Sequence, residues 1–473
     1  MAKEKKEKLS DKLFFNPKCC WEGIDKNTEK EVEAFASSYK QFLDNGKTER
    51  ECTETICKLL DKSGFVNLDN LKNKKLEAGM KIYKNIHGKS ILAAVIGKKS
   101  TAEGFNVLGA HIDSPRLDLK PRPLYEDSDL ALFDTHYYGG IKKYQWTTIP
   151  LSMHGVFVSE DGKKTTIKIG EDPGDPVFTV TDLLIHLAKD QMEKKASVVV
   201  EGEDLDILAG SRPYDGAQDE EKEKVKLALL DILNKKYGVT ERDFTSAEIE
   251  FVPAFKASDV GLDRSLIGAY GHDDRCCAFP ALQAILALAN GKSAPDKTLV
   301  LYLSDKEETG SAGNTGARSV NFENFLKFIC GEQADHQLCF SRTSMLSADV
   351  NGAYDPTYSS AFDKKNAPYI GKGIVLEKYT GARGKYGASD ANAEYVAGIQ
   401  AIMNRNKIQW QTGELGKVDK GGGGTIALYA ANLGMNVLDC GVPVLSMHSP
   451  FEVISKIDLY VTYKGYVAFL KDA

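Results

Sequence analysis

The sequence predicts an α/β domain with helices on both faces of its sheet, interrupted by a β-rich block. Three observations carry that reading. Phe105-Asn106-Val107-Leu108-Gly109-Ala110 and Thr298-Leu299-Val300-Leu301-Tyr302-Leu303 are short apolar runs of the kind that form buried strands. Cys276 to Ala289 is apolar over a length that suits a buried helix. From about Arg116 to Val252 the pattern changes to β-type alternation, as in Thr165-Thr166-Ile167-Lys168-Ile169, broken by turn clusters such as Glu171-Asp172-Pro173-Gly174-Asp175-Pro176. Buried strands alternating with helices belong to layered α/β folds, and an insertion explains why chemistry-bearing motifs lie on both sides of the β-rich block.

At 473 residues the chain has room for two domains. The expected division is a main domain of residues 1–115 and 253–473 and an inserted one of residues 116–252. Inside the insert, the charged stretch Asp219 to Lys226 leads into a helix that runs to Lys235. Beyond it, Asn392 to Met403 reads as a helix and Asn436 to Asp439 as a strand. Gly421 to Gly424 and Thr425 make a turn before an apolar helix, Ile426 to Ala431.

Composition is that of an ordinary globular protein, 42% hydrophobic and 27% charged. A net charge of −6 without a Lys/Arg stripe argues against a nucleic-acid partner. The run Lys3 to Lys8 is broken by Glu4 and Glu7 and reads as a solvated tail. It lacks the apolar stretch of a signal peptide, and no later segment has the length of a membrane span. Nine cysteines, two adjacent pairs among them and no C-x-x-C, suit reduced thiols and a cytoplasmic location.

Metal-ligand residue types gather at the ends of the apolar runs. They are His111-Ile112-Asp113, Asp273-Asp274-Arg275, Glu307-Glu308, Asp349 and His448. Ligands at the C-terminal ends of parallel strands converge in one crevice. Two histidines and several carboxylates suit zinc, cobalt or manganese. Their number suits two ions: His111, Asp273 and Asp349 on one, Glu308 and His448 on the other, with Asp273 bridging. Two such ions share a water, lower its pKa and stabilise the oxyanion of an attacked carbonyl. Asp113, two residues from His111, is placed to orient the imidazole. Glu307, beside the ligand Glu308, is placed as general base. Each motif alone has a bland reading: a chance H-x-D, a solvated Glu-Glu turn, an acid at a helix N-terminus, a turn histidine.

Their joint order removes that ambiguity. Gly109-Ala110-His111-Ile112-Asp113-Ser114-Pro115-Arg116 resembles the opening metal motif of the M18 aminopeptidases. Gly271-His272-Asp273-Asp274-Arg275, Ser304-Asp305-Lys306-Glu307-Glu308-Thr309-Gly310-Ser311, Ser347-Ala348-Asp349 and Ser446-Met447-His448-Ser449 follow in that family's order. The resemblance implies a zinc-peptidase-like mixed sheet flanked by helices, with the insert as a dimerisation domain. It implies a two-metal enzyme that removes N-terminal residues from short peptides, with an acidic-residue preference among the family's expectations, using zinc, with cobalt or manganese as alternatives. His111, Asp273, Glu308, Asp349 and His448 would be ligands, and Asp113 and Glu307 catalytic. Self-association into dimers and a tetrahedral dodecamer is expected. Ile149-Pro150-Leu151-Ser152-Met153-His154 resembles the segment that sends a histidine into the neighbouring active site, where His154 would support the oxyanion.

Substrate contacts expected on weaker signals are Lys385, as a partner for a carboxylate, and Gly423 and Gly424, whose backbone can approach substrate closely. Two departures bear on specificity. Asp349 is followed by Val350-Asn351-Gly352 without the histidine-rich continuation of typical relatives, and Phe451 stands where arginine is frequent. Both put the acidic preference in doubt. The rival readings are a related two-metal carboxypeptidase or deacylase and a shell-forming binding protein with degenerate catalysis.

Overall fold

The computed structural model describes residues 8–71, 75–216, 218 and 221–473. The charged tail Lys3 to Glu7 and the residues Asp219 and Glu220 of the charged stretch lie outside them. The main sheet has nine strands in the order Val66–Asn67, Lys81–Ile86, Ser90–Val95, Thr298–Ser304, Phe105–His111, Ser344–Ser347, Asn436–Gly441, Ile374–Glu377 and Trp410–Thr412. Its centre is parallel: Thr298–Ser304, Phe105–His111, Ser344–Ser347 and Asn436–Gly441 run the same way. Antiparallel strands flank this centre on both sides, so the sheet is mixed.

The central strands have no polar face because both sides are covered. Along Thr298–Ser304, Leu299, Leu301 and Leu303 enter one core while Val300 and Tyr302 enter the other. Leu108 and Ala110 part from Phe105 and Val107 in the same period-two way. Helices Lys26–Asn45, Glu49–Lys62, His272–Ala289, Ala393–Arg405 and Lys456–Asp472 contribute to the first core. Helices Asn321–Cys330, His336–Ser341 and Ala427–Asn432 contribute to the second. The helix expected from Cys276 begins earlier, at His272, but Asp273 and Asp274 have non-helical backbone angles and are joined by a cis peptide bond.

A second sheet of seven antiparallel strands lies entirely between Arg116 and Pro253, in the order Lys164–Ile169, Leu151–Val158, Glu248–Pro253, Arg116–Asp127, Leu130–Tyr138, Ile207–Gly210 and Thr179–Val180. It packs its own core of Phe133, Trp146, Phe157, Phe244 and Phe251, covered in part by the helix Lys224–Tyr237. Beside it, Val177, Leu183, Leu184, Ile185, Leu187 and Met192 are all exposed. A third, five-stranded sheet includes Leu266–Ala269 and Glu452–Ser455, paired antiparallel, and so holds the chain entering Asp273 next to the chain leaving His448.

Register aligns the parallel strand ends. Ser304 pairs with His111, and Ser347 pairs with both Gly109 and Asp439. The residues that follow these strands therefore emerge at one edge of the sheet. Leu301→Ala, at a fully buried central position, should cost about 2–5 kcal/mol in denaturant unfolding; a loss under about 1 kcal/mol would contradict the two-sided core.

Candidate active site

At that edge His111, Asp273, Glu307, Glu308, Asp349 and His448 come together. Asp273 lies between the histidines: Oδ1 is 3.2 Å from His111 Nε2, and Oδ2 is 3.2 Å from His448 Nε2. Asp349 Oδ1 and Glu307 Oε2 stand 3.9 and 4.0 Å from His111 Nε2. Glu308 Oε2 stands 3.5 Å from His448 Nε2. His111, Glu307 and Asp349 offer ligand atoms within 4.8 Å of one another, as do His111, Asp273 and Glu308.

The far sides of the rings fix which nitrogen faces the cluster. His111 Nδ1 lies 3.0 Å from the Asp113 carbonyl oxygen, and His448 Nδ1 lies 2.7 Å from the Gly140 carbonyl oxygen. Each Nδ1–H donates there, which turns both Nε2 atoms toward the acids. His272, between the motif glycine and Asp273, is turned away: its Nδ1 meets the Tyr39 hydroxyl at 2.8 Å and its Nε2 the Ile267 carbonyl at 3.1 Å.

Asp113 is fully buried. Its Oδ1 accepts the Glu307 amide and its Oδ2 the Glu308 amide, both at 3.2 Å, while the Tyr138 hydroxyl donates to Oδ2 at 2.8 Å. Asp113 thus holds the acidic turn as well as the imidazole. Asp274 accepts the His111 amide at 3.2 Å.

Three of these partners were not evident from sequence. Glu452, 1% exposed, accepts the Asp273 amide at 3.0 Å through Oε2 and the His448 amide at 2.7 Å through Oε1. It ties Asp273 to a histidine 175 positions further along the chain. Tyr138 closes the strand Leu130–Tyr138 of the β-rich block, and Gly140 follows two residues later. Only the spacing of Glu452, four residues after His448, hinted at its role.

The electrostatics are those of a site built for cations. Burial, reinforced by Asp113 and Asp273 and offset in part by His111, pushes the Glu307 carboxyl up to about 7. Burial and then Asp273 hold Glu308 well above the usual carboxylate range, and burial and then Asp274 do the same for Asp349. Against its burial, the Asp273 hydrogen bond and Glu308 push His448 up to about 11. Glu308 Oε1 and Asp274 Oδ1 are buried without a hydrogen-bond partner. Acids so crowded, with orphaned oxygens and two inward-facing imidazoles, fit divalent metal ions.

A cavity of about 560 Å³ opens over the cluster. Gly423 and Gly424 line it. Gly422 in the same run has φ +123°, and a Cβ there would stand 2.0 Å from the Gly381 carbonyl oxygen. Lys385 does not line it. Its ammonium pairs with Asp390 at 3.0 Å and lies 3.8 Å from the centre of the Tyr379 ring. His154 is also elsewhere. It is wholly buried, with Nδ1 2.8 Å from Glu51 and Nε2 3.0 and 3.2 Å from Ser152 and Glu171.

Known proteins resemble this chain over nearly its whole length. The family described as "Aminopeptidase I zinc metalloprotease (M18)" matches residues 42–470. The chain belongs to the M18 aminopeptidase family. It is 51% identical to the "Probable M18 family aminopeptidase 1" of Clostridium acetobutylicum, over 98% of this chain and 100% of that one. A crystal structure of an M18-family aminopeptidase from Thermotoga maritima superposes with TM-score 0.91 at 46% identity, covering 97% and 100% of the two chains. The S. cerevisiae mApe1 dodecamer structure shares the fold, with TM-score 0.75 at 22% identity over 94% of this chain and 97% of that one. Membership makes this M18 chain a zinc-type metalloaminopeptidase. No helix among the described residues is long and apolar enough to cross a membrane.

Because Glu307, Glu308 and Asp349 bind protons more tightly folded than unfolded, their contribution to the metal-free chain is full at low pH. It is lost as pH rises, for Glu307 between about 4.5 and 7. Metal must displace those protons. Zinc added to chelator-stripped protein should therefore raise the melting temperature more at about pH 8 than at about pH 5.5. The stabilisation reaches about 2.7 kcal/mol at a free-metal concentration of about 100 Kd. An equal or smaller gain at the higher pH would contradict this electrostatic account.

Proposed function

We propose that the M18 chain is a two-metal aminopeptidase acting on short peptides with free N-termini. His111 and Asp349 would hold one ion and Glu308 and His448 the other, with Asp273 offering one carboxylate oxygen toward each. The observation that carries this reading is the division of Asp273, one oxygen facing each histidine at 3.2 Å. Zinc is the proposed metal, and cobalt and manganese suit the same N/O donors. When bound, the ions would polarise the scissile carbonyl and acidify water.

The chain's own residues then do the rest. Glu307 takes a proton from the attacking water and returns it to the leaving amine. Asp113 keeps Glu307 in place through its backbone amide and keeps His111 facing inward. The acid-rich cluster attracts the substrate's α-ammonium, which favours N-terminal residues over internal bonds. The suggested acidic-residue preference finds little support here. No Lys or Arg is among the described residues lining the cavity, and Lys385 is paired outside it.

Residues 116–252 are proposed as a dimerisation domain, with dimers assembling further into a tetrahedral dodecamer. The exposed apolar segment from Val177 to Met192 supports self-association. The role of His154 in a neighbour's site runs against its enclosure, since within one chain both ring nitrogens are engaged. His186, exposed between the exposed Ile185 and Leu187, belongs to that apolar segment.

Glu307→Gln should lower release of N-terminal residues by roughly 10²–10⁴-fold in zinc-, cobalt- or manganese-loaded protein while leaving metal content intact. Peptides blocked at the N-terminus should resist the wild-type enzyme. Release of C-terminal residues, or wild-type rates in the variant, would defeat the mechanism.

A further inference from the structure

The end of the active-site cavity away from the histidines carries two more acids that the reaction does not use. Glu377 ends the strand Ile374–Glu377, and Asp439 lies in Asn436–Gly441. The two are direct cross-strand partners in an antiparallel pair. Cross-strand partners point to the same side of a sheet, where like charges repel. Both side chains are more than nine-tenths buried, at 7% and 3% exposed, and both line the cavity.

Neither acid has a cation. Glu377 Oε2 accepts from the Asn351 amide, and Asp439 Oδ1 accepts from the Thr425 hydroxyl at 2.7 Å. No Lys or Arg pairs with either among the described residues. Two further acceptors line the same end: Asn351 Oδ1 and Thr380 Oγ1 are buried without hydrogen-bond partners, and Asn351 is only 2% exposed. Burial and then Asp439 raise Glu377 well above the usual carboxylate range. Buried oxygens left this way are costly unless a donor fills the space between them.

The position matches a substrate side chain. Asp439 pairs in register with Ser347, two residues before Asp349, and Glu377 lies one strand further. That is two strand spacings, roughly 10 Å, from the Ser347 strand. An N-terminal residue anchored at the metal cluster would extend a long side chain across Asp439 to Glu377.

We propose that Glu377 and Asp439, with Asn351 and Thr380, form the subsite for a cationic N-terminal side chain, so that the enzyme prefers peptides beginning with lysine or arginine. The proposal rests on the reading of this cavity as the peptide site. Ammonium and guanidinium groups supply both the missing charge and the missing donors, whereas an acidic side chain would add a third carboxylate to the pair. Norleucine keeps lysine's four-carbon stem and lacks only the ammonium, so the comparison isolates the charged group.

The test uses matched dipeptide substrates with N-terminal Lys, Arg, norleucine or Glu and the assembled, metal-loaded enzyme. Wild type should show kcat/KM for Lys at least about tenfold above norleucine, with Glu lowest, a selectivity expected when a buried polar site is left unpaired. Glu377→Gln and Asp439→Asn should each shrink the Lys-to-norleucine ratio at least about fivefold, Glu377→Gln the more. Thermal melts identify any variant that fails to fold, and the wild-type ratio stands without the variants. Turnover of norleucine equal to or above that of lysine in wild type, or an unchanged ratio in folded Glu377→Gln, overturns the proposal while leaving the aminopeptidase reading intact. Absence of turnover on every substrate, norleucine included, would instead strike the reading of the cavity as a peptide site, and this proposal with it.

Discussion

Asp113 is buried where three pieces of chain meet, and its hydrogen bonds are shared among them. Its backbone carbonyl takes the His111 ring N–H, its carboxylate takes the amides of Glu307 and Glu308, and the Tyr138 hydroxyl closes it from the β-rich block. A carboxylate accepting several N–H and O–H donors is stable without being exposed to water. The strand that ends at His111, the turn that follows Thr298–Ser304 and the last strand residue before Gly139 are therefore fixed to one another. Without that joint, the inward-facing Nε2 of His111 and the acids opposite it would have no common frame.

Asp273 and Glu452 form the second frame. Glu452 spends both oxygens on backbone amides, those of Asp273 and His448. The small sheet that pairs Leu266–Ala269 with Glu452–Ser455 places it there. The arrangement leaves the Asp273 side chain available on both sides, at equal distance from the two histidines. It concentrates negative charge in a buried place, which costs stability unless cations fill it. The raised Glu307, Glu308 and Asp349 carboxyls express that cost. A fold with two full hydrophobic cores on either side of its central sheet can sustain it.

How much of this was legible in the sequence depends on whether a contact is local. The central strands and the buried helix stood out because they are apolar throughout, and the ligand types stood out because they end those runs. Expected and observed bounds differ by a residue or two there, as with Thr298 to Leu303 against Thr298–Ser304. The start of the helix at His272 was obscured because Asp273 and Asp274 do not continue its backbone geometry. Glu452, Tyr138 and Gly140 act over long separations in the chain, so no window of sequence contains both partners. Lys385 went astray for the opposite reason: its nearest opposite charge, Asp390, is only five residues on. His154 looked like a strand histidine with a job elsewhere, but the helix Glu49–Lys62 brings Glu51 against it. The cationic subsite was hidden because Glu377 and Asp439 lie on strands that become neighbours only in the folded sheet.

In the proposed mechanism Asp273 joins two metal positions into one reacting site. The most direct measurement is metal content per chain after equilibrium dialysis against zinc, for wild type and for Asp273→Asn. Two tightly held ions per wild-type chain are expected, with weakened binding of both in the variant, since each position loses charge from the shared ligand. One ion per wild-type chain, or a variant that loses one ion and keeps the other at wild-type affinity, would contradict it.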